Sequence, residues 1–187
     1  MVKRNTCVFI SGQGSNLKNL ISHSRDCSFP LKISLVITNN KNANGIIYAK
    51  IHKIPYLIIN TKKRNYENKI FLNLKKHKIT FICLAGYMRI ISNKLINIFK
   101  KKIINIHPSL LPKFKGLNTF KRVLKDKEIK TGCTVHYVNH KLDDGDIISK
   151  KCFYINSEDN EETLKYKTQI LEYKIYPEAI IKIFSNC

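Results

Sequence analysis

Short apolar runs bounded by turn residues recur along the first part of the chain: Cys7 to Ser11, Ile33 to Thr38, Pro55 to Ile59, Thr80 to Gly86 and Lys102 to His107. They are rich in β-branched residues and continuous rather than alternating, the pattern of strands covered on both faces of a parallel sheet. Between them lie segments with helical spacing. Ser15 to His23 places Leu17, Leu20 and Ile21 on one face, Asn44 to His52 brings Ile46, Ile47 and Ala49 together, and Tyr66 to His77 does the same for Ile70, Phe71 and Leu74. This alternation predicts an α/β fold with a mostly parallel, doubly wound sheet.

After Gly116 the pattern changes. Two β-rich runs, Cys133 to Val138 and Asp146 to Ile155, flank the polar stretch Asn139 to Gly145, which predicts two added strands joined by a functional loop. A helix is expected from about Glu161 to Phe184, interrupted or kinked near Pro177, because proline lacks the N–H that the helix ladder needs.

Length and composition narrow the picture. A chain of 187 residues fits one domain, 1–187, large enough to bury a core. The apolar run Cys7 to Ile10 is far shorter than a signal-peptide core, and no segment approaches the roughly 20 apolar residues of a membrane span, so a cytoplasmic protein is expected. The six cysteines are scattered, with no CxxC pair and no histidine at ligand spacing beside them. They read as reduced thiols, mostly small core residues, with no metal site. Charge is lopsided: 34 Lys+Arg against 13 Asp+Glu, a net +21, which draws anions of any kind. Only Arg4, Arg25, Arg64, Arg89 and Arg122 are arginines, and the lysines are spread along the chain among Ile and Asn. That distribution reads as solvated lysine faces; a nucleic-acid-binding module would cluster its basic residues among exposed aromatics.

Three stretches carry candidate chemistry. The first strand runs into Ser11-Gly12-Gln13-Gly14-Ser15-Asn16 and then a helix, so backbone N–H groups and the helix dipole converge where a phosphate could sit. Turn glycines with a serine cap would look the same. A dinucleotide fingerprint is disfavoured, because Leu17 occupies its third glycine position. The second stretch is Ile104 to Pro112, at the C-terminal end of the fifth strand, where ligands bind in open α/β sheets. Alternation points Asn105 and His107 to the same side, so a carboxamide donor and an imidazole can meet one substrate. The third is Lys141 to Asp146, with three carboxylates in a basic chain. One of them could sit against His107, fix its tautomer and raise its pKa, as acyl transfer requires; a solvated acidic turn is the plainer reading.

Ser11 to Asn16, Leu84 to Ser92, Asn105 to Pro112, Gly132 to Val138 and Leu142 to Ile148 together resemble the glycinamide ribonucleotide formyltransferase family, in its order and at its spacing. The resemblance covers nearly the whole chain. It implies a Rossmann-like formyltransferase fold, with helices on both faces of a twisted sheet and added C-terminal strands. It implies formyl transfer from 10-formyltetrahydrofolate, as co-substrate, to the primary amine of glycinamide ribonucleotide in de novo purine biosynthesis. By the same resemblance Asn105, His107 and Asp143 match the catalytic trio. Gly14, Ser15 and Asn16 would hold the ribonucleotide phosphate, and Gln169 and Glu172 would contact the glycinamide part. The folate pocket would draw on Met88, Arg89, Ile90, Ile91 and Asn105 and on the loop Asn139, His140, Lys141, Leu142 and Asp143, with Lys63 or Arg64 near a further contact. No metal, specific nucleic acid or membrane partner is implied, and monomer and homodimer stay open.

Gln13, Lys115, Asn118 and Phe120 depart from the residues expected in many relatives and bear on the loop after Pro112. Methionyl-tRNA formyltransferase shares a similar HPSLLP motif and acidic loop, but carries a C-terminal nucleic-acid-binding domain. Formyltetrahydrofolate deformylase would bring an N-terminal regulatory domain and an altered HPSLLP segment. Nucleotide-sugar formyltransferases are disfavoured by Gln169 and Glu172.

Overall fold

The computed structural model describes residues 2–100 and 102–185. Among the described residues there are seven strands and six helices; the strand order is β3-β2-β1-β4 in the first part of the chain and β5-β6-β7 in the second. The fold is α/β, mostly parallel, with antiparallel strands at the C-terminal end. The chain divides into two compact units, residues 1–103 and 104–187.

In the first unit, β1 (Arg4–Ile10) pairs in parallel with both β2 (Leu31–Thr38) and β4 (Phe81–Leu84), and β2 pairs with β3 (Tyr56–Ile58). The side chains of Cys7 to Ile10 and of Phe81 to Leu84 are buried, as continuous apolar runs require of strands covered on both faces. β3 departs from that expectation. It is an edge strand of three residues, with Tyr56 and Ile58 exposed, so only one side of it has a neighbour in the ladder.

The helices of this unit follow the apolar spacing. α1 (Ser15–Ser24) buries Leu17, Leu20 and Ile21, α2 (Ile46–Ile51) buries Ile46 and Ala49, and α3 (Tyr66–Lys76) buries Ile70 and Leu74. α2 starts two residues later than its apolar pattern suggests, because Ala43 and Asn44 carbonyls accept turn hydrogen bonds from Ile46 and Ile47. α4 (Asn93–Ile98) has no counterpart among the expected elements; it is started by the Ser92 side chain accepting from Leu95 N–H.

In the second unit β5 (Ile103–His107) leads into β6 (Lys130–Tyr137) and β7 (Ile147–Tyr154), which pair antiparallel to one another, as β6 does to β5. α5 (Thr119–Lys125), also absent from the expected elements, lies between β5 and β6 in sequence. α6 (Glu161–Ser185) packs against β6 and β7. Asn160 caps it: its Oδ1 accepts from the N–H of Glu162 and Thr163, while Thr163 Oγ1 accepts from Asn160 N–H. The interruption expected at Pro177 does not occur, and α6 runs on as one helix. Pro177 is buried with Ile175, Tyr176, Ala179 and Ile180, so tertiary packing holds the segment helical despite the missing N–H.

Of the cysteines, Cys7, Cys83 and Cys133 are buried, Cys27 and Cys152 are exposed, and all five are free thiols; Cys187 lies outside the described residues. No described helix is long and apolar enough to cross a membrane.

Candidate active site

In the first unit the strand order reverses between β1 and β4, the switch point at which open α/β sheets bind ligands. Ser11, just past β1, organises this point. Its N–H donates to Gly86 carbonyl at 3.1 Å, its hydroxyl donates to Asn39 Oδ1 at 2.5 Å, and its Oγ accepts from Met88 N–H at 2.8 Å. Gly14 follows with φ +73° and acts as the N-cap of α1. A Cβ there would stand 2.5 Å from Gly45 Cα, so two backbones approach where only glycine fits, and Gly45 N–H donates to Gly12 carbonyl at 3.0 Å. Gln13 has a structural use: its Oε1 accepts from Asn44 Nδ2 at 2.8 Å, tying the same two loops. Ser15 and Asn16 form the first turn of α1, with their N–H groups at the positive end of the helix dipole.

Met88 to Ile91 lie between β4 and α4. Met88 and Ile90 are 63% and 79% exposed, apolar surface that the described residues leave uncovered, whereas Ile91 is buried. Ile90 and Ile91 border a recess with Tyr66, Phe71 and Tyr87. Burial pushes the Tyr87 hydroxyl up to about 12 against the pull of Arg89. Lys63 and Arg64 are exposed in the loop between β3 and α3.

The second unit brings Asn105, His107 and Asp143 together. β5 and β6 place Asn105 opposite His136 and His107 opposite Thr134. Asp143 reaches this pair from the β6–β7 loop with φ +46°. Its Oδ2 lies 3.3 Å from His107 Nδ1 and accepts from Gly116 N–H at 2.9 Å; its Oδ1 lies 3.4 Å from Asn105 Nδ2 and 3.6 Å from His136 Nε2. The loop is closed by Tyr137 N–H donating to Asp146 carbonyl and Asn139 Nδ2 to Asp144 carbonyl, and by Lys141 N–H donating to Asn139 Oδ1. Gly145 makes the closure possible, since a Cβ there would fall 1.7 Å from Tyr137 carbonyl oxygen. His140 and Lys141 are exposed, as is Leu142, and Lys115 pairs with Asp144.

The electrostatics correct one expectation. Burial is the largest influence on His107 and takes its pKa below the usual 6.5; Asp143 and the Phe114 carbonyl pull it upward without reversing the sign. The expected rise therefore does not occur, because removing the imidazolium from water costs more than one carboxylate returns. Asp143 is the mirror case. Burial alone would raise it, but the nearby imidazoles of His136 and His107 and the Gly116 N–H together hold it below 3.8. His107 Nε2–H donates to Phe114 carbonyl at 2.9 Å, so both ring nitrogens face acceptors and a second proton on the ring would find Asp143 Oδ2 waiting.

Gln169 and Glu172 lie half-buried one turn apart on α6, and Glu172 is close enough to Cys133 to join burial in raising that thiol to about 12.

Sequence reasoning missed His136, Thr134, Gly116 and the Phe114 carbonyl. The first two had a signal: Thr134 and His136 alternate along β6 just as Asn105 and His107 do along β5. Thr134 Oγ1 donates to Ser109 carbonyl at 2.6 Å and accepts from Leu111 N–H at 3.1 Å, which fixes the loop after His107. The other two act through backbone atoms and leave no mark in residue type. Among the described residues no group of three or more His, Cys, Asp or Glu side chains could hold a metal ion.

The chain has relatives among known proteins. Residues 4–180 match the model of a family described as formyl transferase. The chain is 38% identical over 185 residues to a phosphoribosylglycinamide formyltransferase of Haemophilus influenzae, covering 96% of this chain and 86% of that protein. It is 37% identical over 188 residues to the human trifunctional purine biosynthetic protein adenosine-3, covering 98% of this chain but only 19% of that protein's length. The crystal structure of phosphoribosylglycinamide formyltransferase from Bacillus halodurans superposes with a TM-score of 0.93 at 35% identity, covering 97% of this chain and 96% of that one.

Proposed function

Because this chain belongs to the formyl transferase family, we infer that it transfers the formyl group of 10-formyltetrahydrofolate to the primary amine of glycinamide ribonucleotide, a step of de novo purine synthesis. Its 187 residues would act in the cytoplasm as one formyltransferase domain, monomeric or homodimeric, on small-molecule substrates and without a specific nucleic-acid partner. The observation that carries the reading is the convergence of Asn105 and His107 on Asp143, each within 3.4 Å of a carboxylate held ionised.

The chemistry needs those groups. The acceptor nitrogen attacks the formyl carbon, a new C–N bond forms and the carbonyl oxygen becomes an alkoxide. One proton leaves the attacking nitrogen, the departing nitrogen of the folate gains one, and the old C–N bond breaks. Asn105 Nδ2–H and a His107 N–H are the donors for the alkoxide. For Nε2–H to serve, it exchanges the Phe114 carbonyl for the substrate oxygen. Asp143, ionised beside Nδ1, stabilises the imidazolium when the ring takes up a proton and passes protons on through water.

The remaining assignments follow the family. Gly14, Ser15 and Asn16 hold the phosphate at the start of α1, and Gln169 and Glu172 on α6 hold the glycinamide portion. Met88, Arg89, Ile90 and Ile91 receive the folate with the loop Asn139, His140, Lys141, Leu142 and Asp143, and Lys63 or Arg64 meets its acidic tail. The exposure of Met88 and Ile90 supports their part in this, since a flat aromatic ligand would cover them.

The test offers a 10-formylfolate donor with glycinamide ribonucleotide, formyl-acceptor tRNA or water as separate acceptors, beside His107→Ala. Turnover with the ribonucleotide alone, lost in the variant, is the expected result. Transfer only to tRNA or water would move the protein to a sister activity.

A further inference from the structure

His136 lies outside the trio yet touches two of its members. It is 2% exposed on β6, opposite Asn105 in the β5–β6 register. Its Nδ1 lies 2.8 Å from Tyr137 carbonyl oxygen, which can only accept, so the proton of the neutral ring sits on Nδ1. Nε2 is then a lone pair, and its 3.6 Å separation from Asp143 Oδ1 is too long for a hydrogen bond. It stands 3.2 Å from Asn105 Nδ2, which has two hydrogens to give.

The orientation of the Asn105 carboxamide follows. With Nδ2 inward, one N–H goes to His136 Nε2 at 3.2 Å and the other to Asp143 Oδ1 at 3.4 Å. With the amide reversed, its oxygen would face a lone pair and a carboxylate oxygen, two acceptor-to-acceptor contacts in a buried place. The two inward bonds are unequal. The bond to Asp143 is long, and it is the one that can be given up to a developing oxyanion while His136 keeps the amide in place.

We propose that His136, locked by the Tyr137 carbonyl in its Nδ1–H tautomer, is a positioning residue that fixes the Asn105 carboxamide with its N–H donors toward the reacting centre. His136 touches no substrate in this scheme and acts through Asn105. The catalytic half of the proposal rests on the formyltransferase reading; the tautomer and the amide orientation do not.

Two experiments on the intact protein decide it. In 15N-labelled protein, the His136 ring is expected to show a protonated Nδ1 and a non-protonated Nε2, and the Asn105 side-chain amide protons to exchange slowly. In His136→Leu those amide protons exchange fast. An Nε2–H tautomer, or equal Asn105 exchange in both proteins, overturns the proposal whether or not the chain transfers formyl groups. In turnover, His136→Leu is expected to lower kcat roughly tenfold with KM little changed, the scale of one misplaced hydrogen bond. His136→Gln, whose amide oxygen can accept in the place of Nε2, is expected to recover most of it. In an Asn105→Ala background His136→Leu should have no further effect. A loss that persists there would mean that His136 serves only the fold or acts by another route, and would overturn it too.

Discussion

Asp143 carries its charge in a partly buried place, held by the Gly116 N–H and the Asn105 carboxamide with the His107 imidazole beside it. Its folded pKa lies below 3.8 and that of His107 below 6.5, so each group binds protons more readily in the unfolded chain. Both therefore stabilise the fold at neutral pH and lose that contribution on acidification: His107 as pH falls from about 6.5 toward its lower folded value, Asp143 from about 3.9 downward. Asp143→Asn should remove the attraction that offsets the burial of His107, and NMR titration of the His107 ring should then show a pKa lower still than in the parent protein. A rise would mean that Asp143 does not act on the ring. Asn105→Ala should lose about 3 kcal/mol of transition-state stabilisation, on the order of a hundredfold in kcat. Retained turnover would remove Asn105 from the reaction.

Among the elements, the ends carry more information than the middles. α6 begins where Asn160 and Thr163 satisfy each other's backbone N–H groups and the Glu162 N–H, and it survives Pro177 because that residue is packed in a buried apolar segment. Asn160→Ala should cost about 1 kcal/mol in urea denaturation, the usual cost of a lost N-cap. No change would show that the first turn is held from elsewhere. The β6–β7 loop depends in the same way on Gly145, and the loop after β1 on Gly14 lying against Gly45. These glycines stand within the motifs that marked the site, so part of what makes the motifs recognisable is backbone clearance rather than chemistry.

At the scale of the whole molecule the excess of 34 basic over 13 acidic residues is spread along the chain rather than gathered on one motif. Self-repulsion of that size is screened by salt over about 8 Å at physiological ionic strength. The melting temperature should therefore rise between roughly 10 mM and 150 mM neutral salt. A flat or falling curve would mean that local ion pairs such as Lys113 with Glu128 and Lys167 with Asp159 outweigh the general repulsion.

The alternation of buried apolar runs with amphipathic stretches was enough to determine the strands and the longer helices, because burial on one face or two imposes a period that residue type records. Side-chain alternation along β5 likewise places Asn105 and His107 on one side. The short helices α4 and α5 escaped, although α2, no longer than α4, was legible from its apolar spacing. The resemblance had already singled out Asp143 among the loop carboxylates; only the tertiary structure decided how it meets His107, that burial lowers the pKa of His107 rather than raising it, and that the histidine opposite Asn105 on β6 holds its carboxamide. Each of these depends on which strand lies beside which, on the loss of water from a particular spot and on backbone atoms that every residue shares, and none of the three is written in a residue's identity.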